Sequence, residues 1–475
     1  MTDSRDYGNE DYRIEADSLG EMEVPADAYW GAQTQRAIEN FPISDRRFGR
    51  RFIRALGVVK KGAAQANRDL GLLDEEKADA IVAAADEVIA GDHDDQFPVD
   101  IFQTGSGTST NMNANEVIAN RATEIVGGEI GSKEIHPNDH VNYGQSSNDV
   151  IPTAMHVAVL EAIERDVLPG LETLREELER KEEAFDDVVK TGRTHLQDAT
   201  PVMLGQEFSG YRTQIEKGIA RVEETRERAA ELALGGTAVG TGLNTHPEFP
   251  ELAAEYISEE TLLTFREADN HFEAQAAHDA MSEVHGALRT VAGSLQKIAN
   301  DLRLLASGPR NGLGELDQPE NQPGSSIMPG KINPVVAESV NQVYAQVVGN
   351  DAAVSTGAAN GQIDLNLYKP VIASNVLESA RLIANVSGAF ATKFVAKLEA
   401  DREHCEARVE QSMALATALN PAIGYDKASE VAKEAMKTGQ TIREVAVEKG
   451  YLTEDEADEV LDPATMTERV ILGDE

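Results

Sequence analysis

Four long stretches of the chain contain no proline: between Pro201 and Pro247, Pro250 and Pro309, Pro334 and Pro370, and Pro370 and Pro421. Proline breaks a helix because it lacks an amide hydrogen and its ring strikes the preceding turn. In the second stretch Leu262, Phe265, Ala274, Ala277, Met281, Val284, Leu288, Val291, Leu295 and Ile298 recur at the helical period. This spacing predicts one continuous helix of about 40 residues, roughly 60 Å long at 1.5 Å per residue. A globular domain needs nothing so long. Several such helices imply a central antiparallel bundle whose apolar faces continue across subunits. Aromatic residues make up only 5% of the chain, and strand-like alternation is scarce. The expected fold class is therefore mainly α, in three parts. Residues 1–142 form a mixed helical part with Gly- and Pro-punctuated loops, including a loop over Ser132–Tyr143. Residues 143–399 form the bundle and residues 400–475 a small helical C-terminal part.

Charge narrows the partners. Lys+Arg is 43 against Asp+Glu 83, a net −40 over 475 residues, which argues against nucleic acid and anionic membrane surfaces. Acidic runs recur throughout, at Asp74–Glu76, Asp92–Asp95, Glu176–Glu179, Glu182–Asp187 and Glu454–Asp458. With 41% apolar residues the chain is not a disordered polyanion. Its acidic, lysine-poor surface suits a salt-rich cytosol, where the screening length falls to roughly 3 Å at 1 M and self-repulsion costs little. Transfer from molar salt to dilute buffer is expected to abolish both the helical circular-dichroism signal and activity; survival of both would remove the salt-adaptation reading.

Cysteine and histidine exclude further chemistry. The single Cys405 allows no disulfide within the chain, no cysteine zinc site and no iron–sulfur cluster. His271, His278 and His285 stand at i, i+7 and i+14, about 10 Å apart on a helix and too far apart to share an ion, so bundle-seam positions are expected. No H-E-x-x-H occurs, and no metal site is expected. The N-terminus (Met1–Tyr12) is polar and acidic, and no run of about 18 apolar residues exists, so a cytoplasmic chain without a membrane span is expected.

One loop carries chemistry. Residues 324–334 read Gly-Ser-Ser-Ile-Met-Pro-Gly-Lys-Ile-Asn-Pro. Prolines and glycines give such a segment an ordered shape with backbone N–H groups free for a ligand. Ser325, Ser326, Lys331 and Asn333 add hydroxyls, a cation and an amide, equipment for holding a carboxylate while a proton leaves the next carbon. A phosphate-binding P-loop does not fit, since five residues separate Gly324 from Gly330 and Ile332 replaces the required hydroxyl. The S-x-x-K pattern of penicillin-binding enzymes fails too, because neither serine lies three residues before Lys331.

The same loop, together with Gly105-Ser106-Gly107-Thr108, Asn111–Glu116, Gln145-Ser146-Ser147-Asn148-Asp149 and Gly192–Ala199, resembles the signature regions of the fumarase/aspartase superfamily. From Tyr12 to about Leu461 order and spacing resemble its metal-free class II fumarases, with Gly330 and Ser147 pointing away from the aspartases. Tyr143-Gly144 departs from the pair usual before Gln145. The resemblance implies a three-domain fold with a central long-helix bundle, assembled as a homotetramer whose active sites draw on three chains. It implies reversible hydration of fumarate to L-malate, by anti addition and elimination of water through an aci-carboxylate carbanion, without cofactor. The alternative is aspartate ammonia-lyase. By the same resemblance Ser325 is the base, Lys331 and Asn333 hold the carboxylate, and His195 is the acid paired with Glu338. Ser106, Gly107, Thr108, Ser146, Ser147, Asn148, Thr194 and Ser326 are substrate-binding positions. His136, Pro137, Asn138 and Asp139 match a second dicarboxylate site.

Overall fold

The described residues of the computed structural model are 12–468; Met1–Asp11 and residues 469–475 lie outside them. Helices dominate, and the strands among the described residues pair only two by two. Long helices occupy the proline-free stretches: Leu204–Glu223, Asp279–Leu305, Val335–Ala358 and Lys369–Lys393. Pro370 sits at the second position of the last, where its missing N–H has no intrahelical partner to lose.

The expected continuous helix over 262–298 is not formed. The Phe249–Thr261 helix stops at Leu262, which turns left-handed (φ +58°) and is 88% exposed. A short helix, His271–Ala276, then starts at Asn270, whose side chain accepts from the Phe272 and Glu273 amides at 3.0 and 3.1 Å. Ala277 is extended, and only Asp279 opens the 27-residue helix, about 40 Å long. The asparagine side chain offers backbone amides an alternative to helix continuation, so it starts a new element where periodicity alone reads through. From Met281 onward the predicted positions hold: Met281, Val284, Leu288, Val291, Leu295 and Ile298 are all buried.

The three histidines therefore share no helical face. His271 caps locally, its ring contacting the Ala233 carbonyl and the Glu267 carboxylate, each at 2.9 Å. His285 does lie at a helix seam, between Asp351 (2.9 Å) and Ser379 (2.8 Å). His278 is buried with neither ring nitrogen hydrogen-bonded among the described residues.

Two compact units are distinguished, and each of the four long helices contributes residues to both. The first comprises Met1–Pro169, Ala220–Thr290 and Ala345–Ile383. Within it the Arg50–Asp69 helix packs on helices Glu75–Ala90, Ser147–Ala162 and Phe249–Thr261. Close approach explains Gly57, where a Cβ would stand 2.9 Å from Ile89, and Gly62, where it would stand 3.1 Å from Ile257. The second unit comprises Gly170–Ile219, Val291–Tyr344 and Ala384–Glu475. Its C-terminal helices bury Val409, Leu419, Val431, Ile442 and Leu461, and Thr441 and Thr453 open two of them with capping boxes. Cys405 is buried here, its thiol pushed up to about 12 by burial, with the Glu315 carboxylate adding to the shift. No helix among the described residues is long and apolar enough to cross a membrane.

Burial of neutral histidines makes the first unit acid-sensitive. Desolvation pushes His156 down to about 4 and holds His278 and His285 below the ordinary imidazole range. Folded pKa values below the unfolded one mean that the unfolded chain binds more protons, so stability falls as pH drops from about 6.5 toward 4. His156 alone accounts for roughly 3 kcal/mol across that window. Denaturant unfolding at fixed molar salt is expected to show this loss, and His156→Gln is expected to show a smaller one. Equal slopes for the two chains would acquit the histidine.

Candidate active site

In the first unit two helix N-termini bring the expected hydroxyls together. Gly107, left-handed at φ +80°, precedes the Thr108–Ile125 helix, and a Cβ there would stand 2.8 Å from Ile151, so both conformation and space demand glycine. Ser146 caps the Ser147–Ala162 helix, accepting from the Asn148 amide at 3.2 Å. The Ser106 and Thr108 hydroxyls are 2.8 Å apart, and those of Thr108 and Ser147 are 2.7 Å apart. Asn148 Nδ2 donates to the Ala238 carbonyl at 2.8 Å. Hydroxyls gathered at two helix N-termini are chemically suited to an anion, because the helix dipoles favour negative charge there.

A buried charge cluster unassigned from the sequence lies beneath this segment. Asp149 accepts from the Ser146 amide (2.9 Å) and from the Gly235 and Thr237 amides (3.1 and 2.8 Å). Lys369 donates to the Asn148 carbonyl at 2.9 Å, and Lys60 donates to the Asn142 and Gln145 side chains at 3.0 and 2.9 Å. Burial pushes both lysines down to about 7, with Asp149 opposing the shift. Asp149 itself is pushed up to about 6 by burial, against the three backbone donors and Lys60. Desolvation outweighs mutual attraction in each case. Asp149 and Lys369 hold the Ser146–Asn148 backbone directly, and Lys60 holds the Asn142 and Gln145 side chains just before it. A Ser-x-x-Asp capping pattern, and a Lys60-Lys61 pair set between apolar Leu56–Val59 and Gly62–Ala64, are the local signals.

The second unit holds the other candidates on a hairpin and a loop. Strands Val189–Thr194 and Gln197–Met203 are joined by His195 and Leu196 alone, with Thr194 opposite Gln197. Both loop residues are left-handed, at φ +55° and +59°, as a primed two-residue turn requires. Non-glycine residues in that region cost about 1–3 kcal/mol each and persist only where the surroundings enforce them. Here a buried ion cluster braces the hairpin below its tip: Glu315, fully buried, lies 2.7 Å from Arg193 and 3.3 Å from Lys190. Thr194 and His195 are left exposed. His195 is not paired with Glu338; neither side chain has a hydrogen bond or ion pair among the described residues.

In the loop, Ser325 is half-buried, and its Oγ accepts from the Ile327 and Met328 amides at 3.2 and 3.0 Å. Gly324 is forced, since a Cβ would fall 1.9 Å from the Lys331 carbonyl oxygen. Gly330 takes φ +80°. Asn333 donates from Nδ2 to the Gly324 carbonyl, closing the loop. Ser326 and Lys331 are exposed, and Glu338 lies in the first turn of the Val335–Ala358 helix.

Within the loop expected over Ser132–Tyr143, Pro137–Val141 form one wide helical turn, with His136 and Pro137 half-buried and Asn138 and Asp139 exposed. His136 caps it, Nδ1 accepting from the Asn138 and Asp139 amides at 3.2 and 3.1 Å behind Pro137, with Asp139 Oδ2 at 3.4 Å.

A family model described as lyase matches residues 20–349, and one described as the C-terminus of fumarase C matches 415–468. The chain is 79% identical to the class II fumarate hydratase of Halobacterium salinarum, over 98% of this chain and 99% of that one. The chain belongs to the class II fumarate hydratases. Identity to the Nitrosomonas europaea member is 54%, covering 96% of this chain and 99% of that one. The crystal structure of the class II fumarase from Schistosoma mansoni superposes with a TM-score of 0.93 at 41% identity, covering 96% of this chain and 99% of that one. The mainly α fold of the fumarase/aspartase superfamily expected from proline spacing and motifs is the fold observed. The lyase family match, residues 20–349, spans all five motif segments from Gly105 to Pro334.

Proposed function

We propose that the chain catalyses reversible hydration of fumarate to L-malate, with Ser325 as base. The observation that carries this is the pair of backbone amides donating to Ser325 Oγ. A serine hydroxyl is a feeble base unless its ionised form is stabilised, and two donors aimed at the oxygen favour that form. The alkoxide removes the C3 proton of malate; the charge passes into the neighbouring carboxylate as an aci-carboxylate dianion. Lys331 and Asn333 hold that carboxylate, and the growing charge strengthens their grip in the transition state. His195, directly or through a water, protonates the departing C2 oxygen from the opposite face, with Glu338 orienting the ring. Ser106, Thr108, Ser146, Ser147, Asn148, Thr194 and Ser326 supply neutral donors to the dicarboxylate, on backbone shaped by Gly107.

In this reading the chain works as a homotetramer in the cytoplasm, each site drawing on three chains, with the three-part division at about residues 142 and 399. Unpartnered His195 and Glu338 support it, as does apolar surface such as Ile327 (83% exposed) and Val348 (41%) for further copies to cover. The turn His136–Asp139 serves as a second dicarboxylate site. No cofactor enters the reaction. Turnover of L-malate, fumarate and L-aspartate should be compared side by side in molar salt. Fumarate absorbance is expected from malate and not from aspartate; the reverse would assign an ammonia-lyase, the reading that Gly330 and Ser147 disfavour.

A further inference from the structure

Five arginines fall within residues 46–54 (Arg46, Arg47, Arg50, Arg51 and Arg54), although acidic residues outnumber basic ones 83 to 43 over the chain. The first unit folds them around a cavity of about 570 Å³, which Arg381 joins from another helix. Six arginines and two carboxylates line it: Glu378, and Asp166, which pairs with Arg51 at 2.6 Å. Some of the arginines also serve the fold. Arg54 lies 3.2 Å from the buried Glu161, Arg47 lies 3.3 Å from the buried Asp100, and Arg50 pairs with Asp94 at 2.7 Å. Others are loosely used: Arg46 stands 3.7 Å from Glu378, and Arg381 has no ion pair among the described residues. Between the guanidinium groups the wall is apolar, formed by Phe48, Phe52, Ala162 and Leu377. None of the residues proposed for the dicarboxylate lines this cavity.

The residue type selects the ligand. Long-range attraction is screened out in concentrated salt, so a cationic site must act by contact. Arginine does this through a planar fork that grips phosphate or carboxylate oxygens in pairs, and lysine does not. Every cation lining the cavity is arginine. The volume falls in the range of pockets for molecules far larger than a four-carbon acid. We propose that this cavity binds an organic polyphosphate, its phosphates on the arginine forks and its apolar body against Phe48 and Leu377.

The test is calorimetric titration of the full-length chain in molar KCl, with ATP and inorganic tripolyphosphate as probes. Arg46→Gln/Arg381→Gln and the single Arg381→Gln variant remove cations that hold no buried carboxylate, so both are expected to fold and to turn over substrate normally. ATP should bind about tenfold more tightly than tripolyphosphate, and the double variant should weaken both by about tenfold or more. Absence of binding by both probes, or undiminished affinity in the variants, would overturn the proposal. So would a change in oligomer mass with the double variant, which would assign the cavity to an interface between copies. Tripolyphosphate binding as tightly as ATP would remove the apolar contact and with it the organic ligand.

Discussion

Replacing Ser325 with alanine is expected to lower kcat by about 10²–10⁴-fold, the range a positioned general base contributes. KM should change little, because the hydroxyl meets the C3 proton and not the carboxylates. Folding should survive as well. The amides of Ile327 and Met328 that lose their acceptor lie in an exposed loop, where water replaces it. The neighbouring Ser326 gives the contrast: as a neutral donor to the dicarboxylate and not the base, it is expected on conversion to alanine to raise KM and to lower kcat far less. Steady-state kinetics of the two variants, with thermal unfolding of each, decides the matter. Full activity in Ser325→Ala would end the assignment of the base.

Asp149→Asn is expected to be the most damaging single change outside the reacting groups. Asp149 is fully buried and accepts three backbone hydrogen bonds, and two buried lysines lie within its field. An amide in its place turns an NH₂ toward an N–H donor and leaves Lys60 and Lys369 without a counter-charge. Removing one partner of a buried ionic cluster costs about 3–5 kcal/mol. The damage should also reach the chemistry, because Asp149 and Lys369 hold the backbone of Ser146–Asn148. Where the variant folds in molar salt, KM for malate should rise more than kcat falls. A denaturation midpoint close to that of the parent chain, with unchanged KM, would show that the cluster positions nothing.

Which parts of this protein were legible in its sequence follows from the range of the interactions involved. The 324–334 loop is encoded by its own residues: Gly324 and Gly330 permit its backbone shape, and the acceptor of its two free amides is Ser325, two and three positions away. The hydroxyl motifs were legible for the same reason, as was the helical character of the proline-free stretches. Tertiary structure decided the rest. The break at Leu262 and Asn270 escaped a periodicity that two short elements and one long helix satisfy together. The left-handed His195–Leu196 turn has no glycine to announce it, and depends on Glu315, more than a hundred positions away, beneath the hairpin. Only packing buries Lys60 and Lys369 and brings both to one carboxylate, and Arg381 joins the 46–54 arginines only across packed helices. Backbone chemistry acts between neighbours and is written locally, whereas desolvation and charge pairing depend on which distant segments packing brings together.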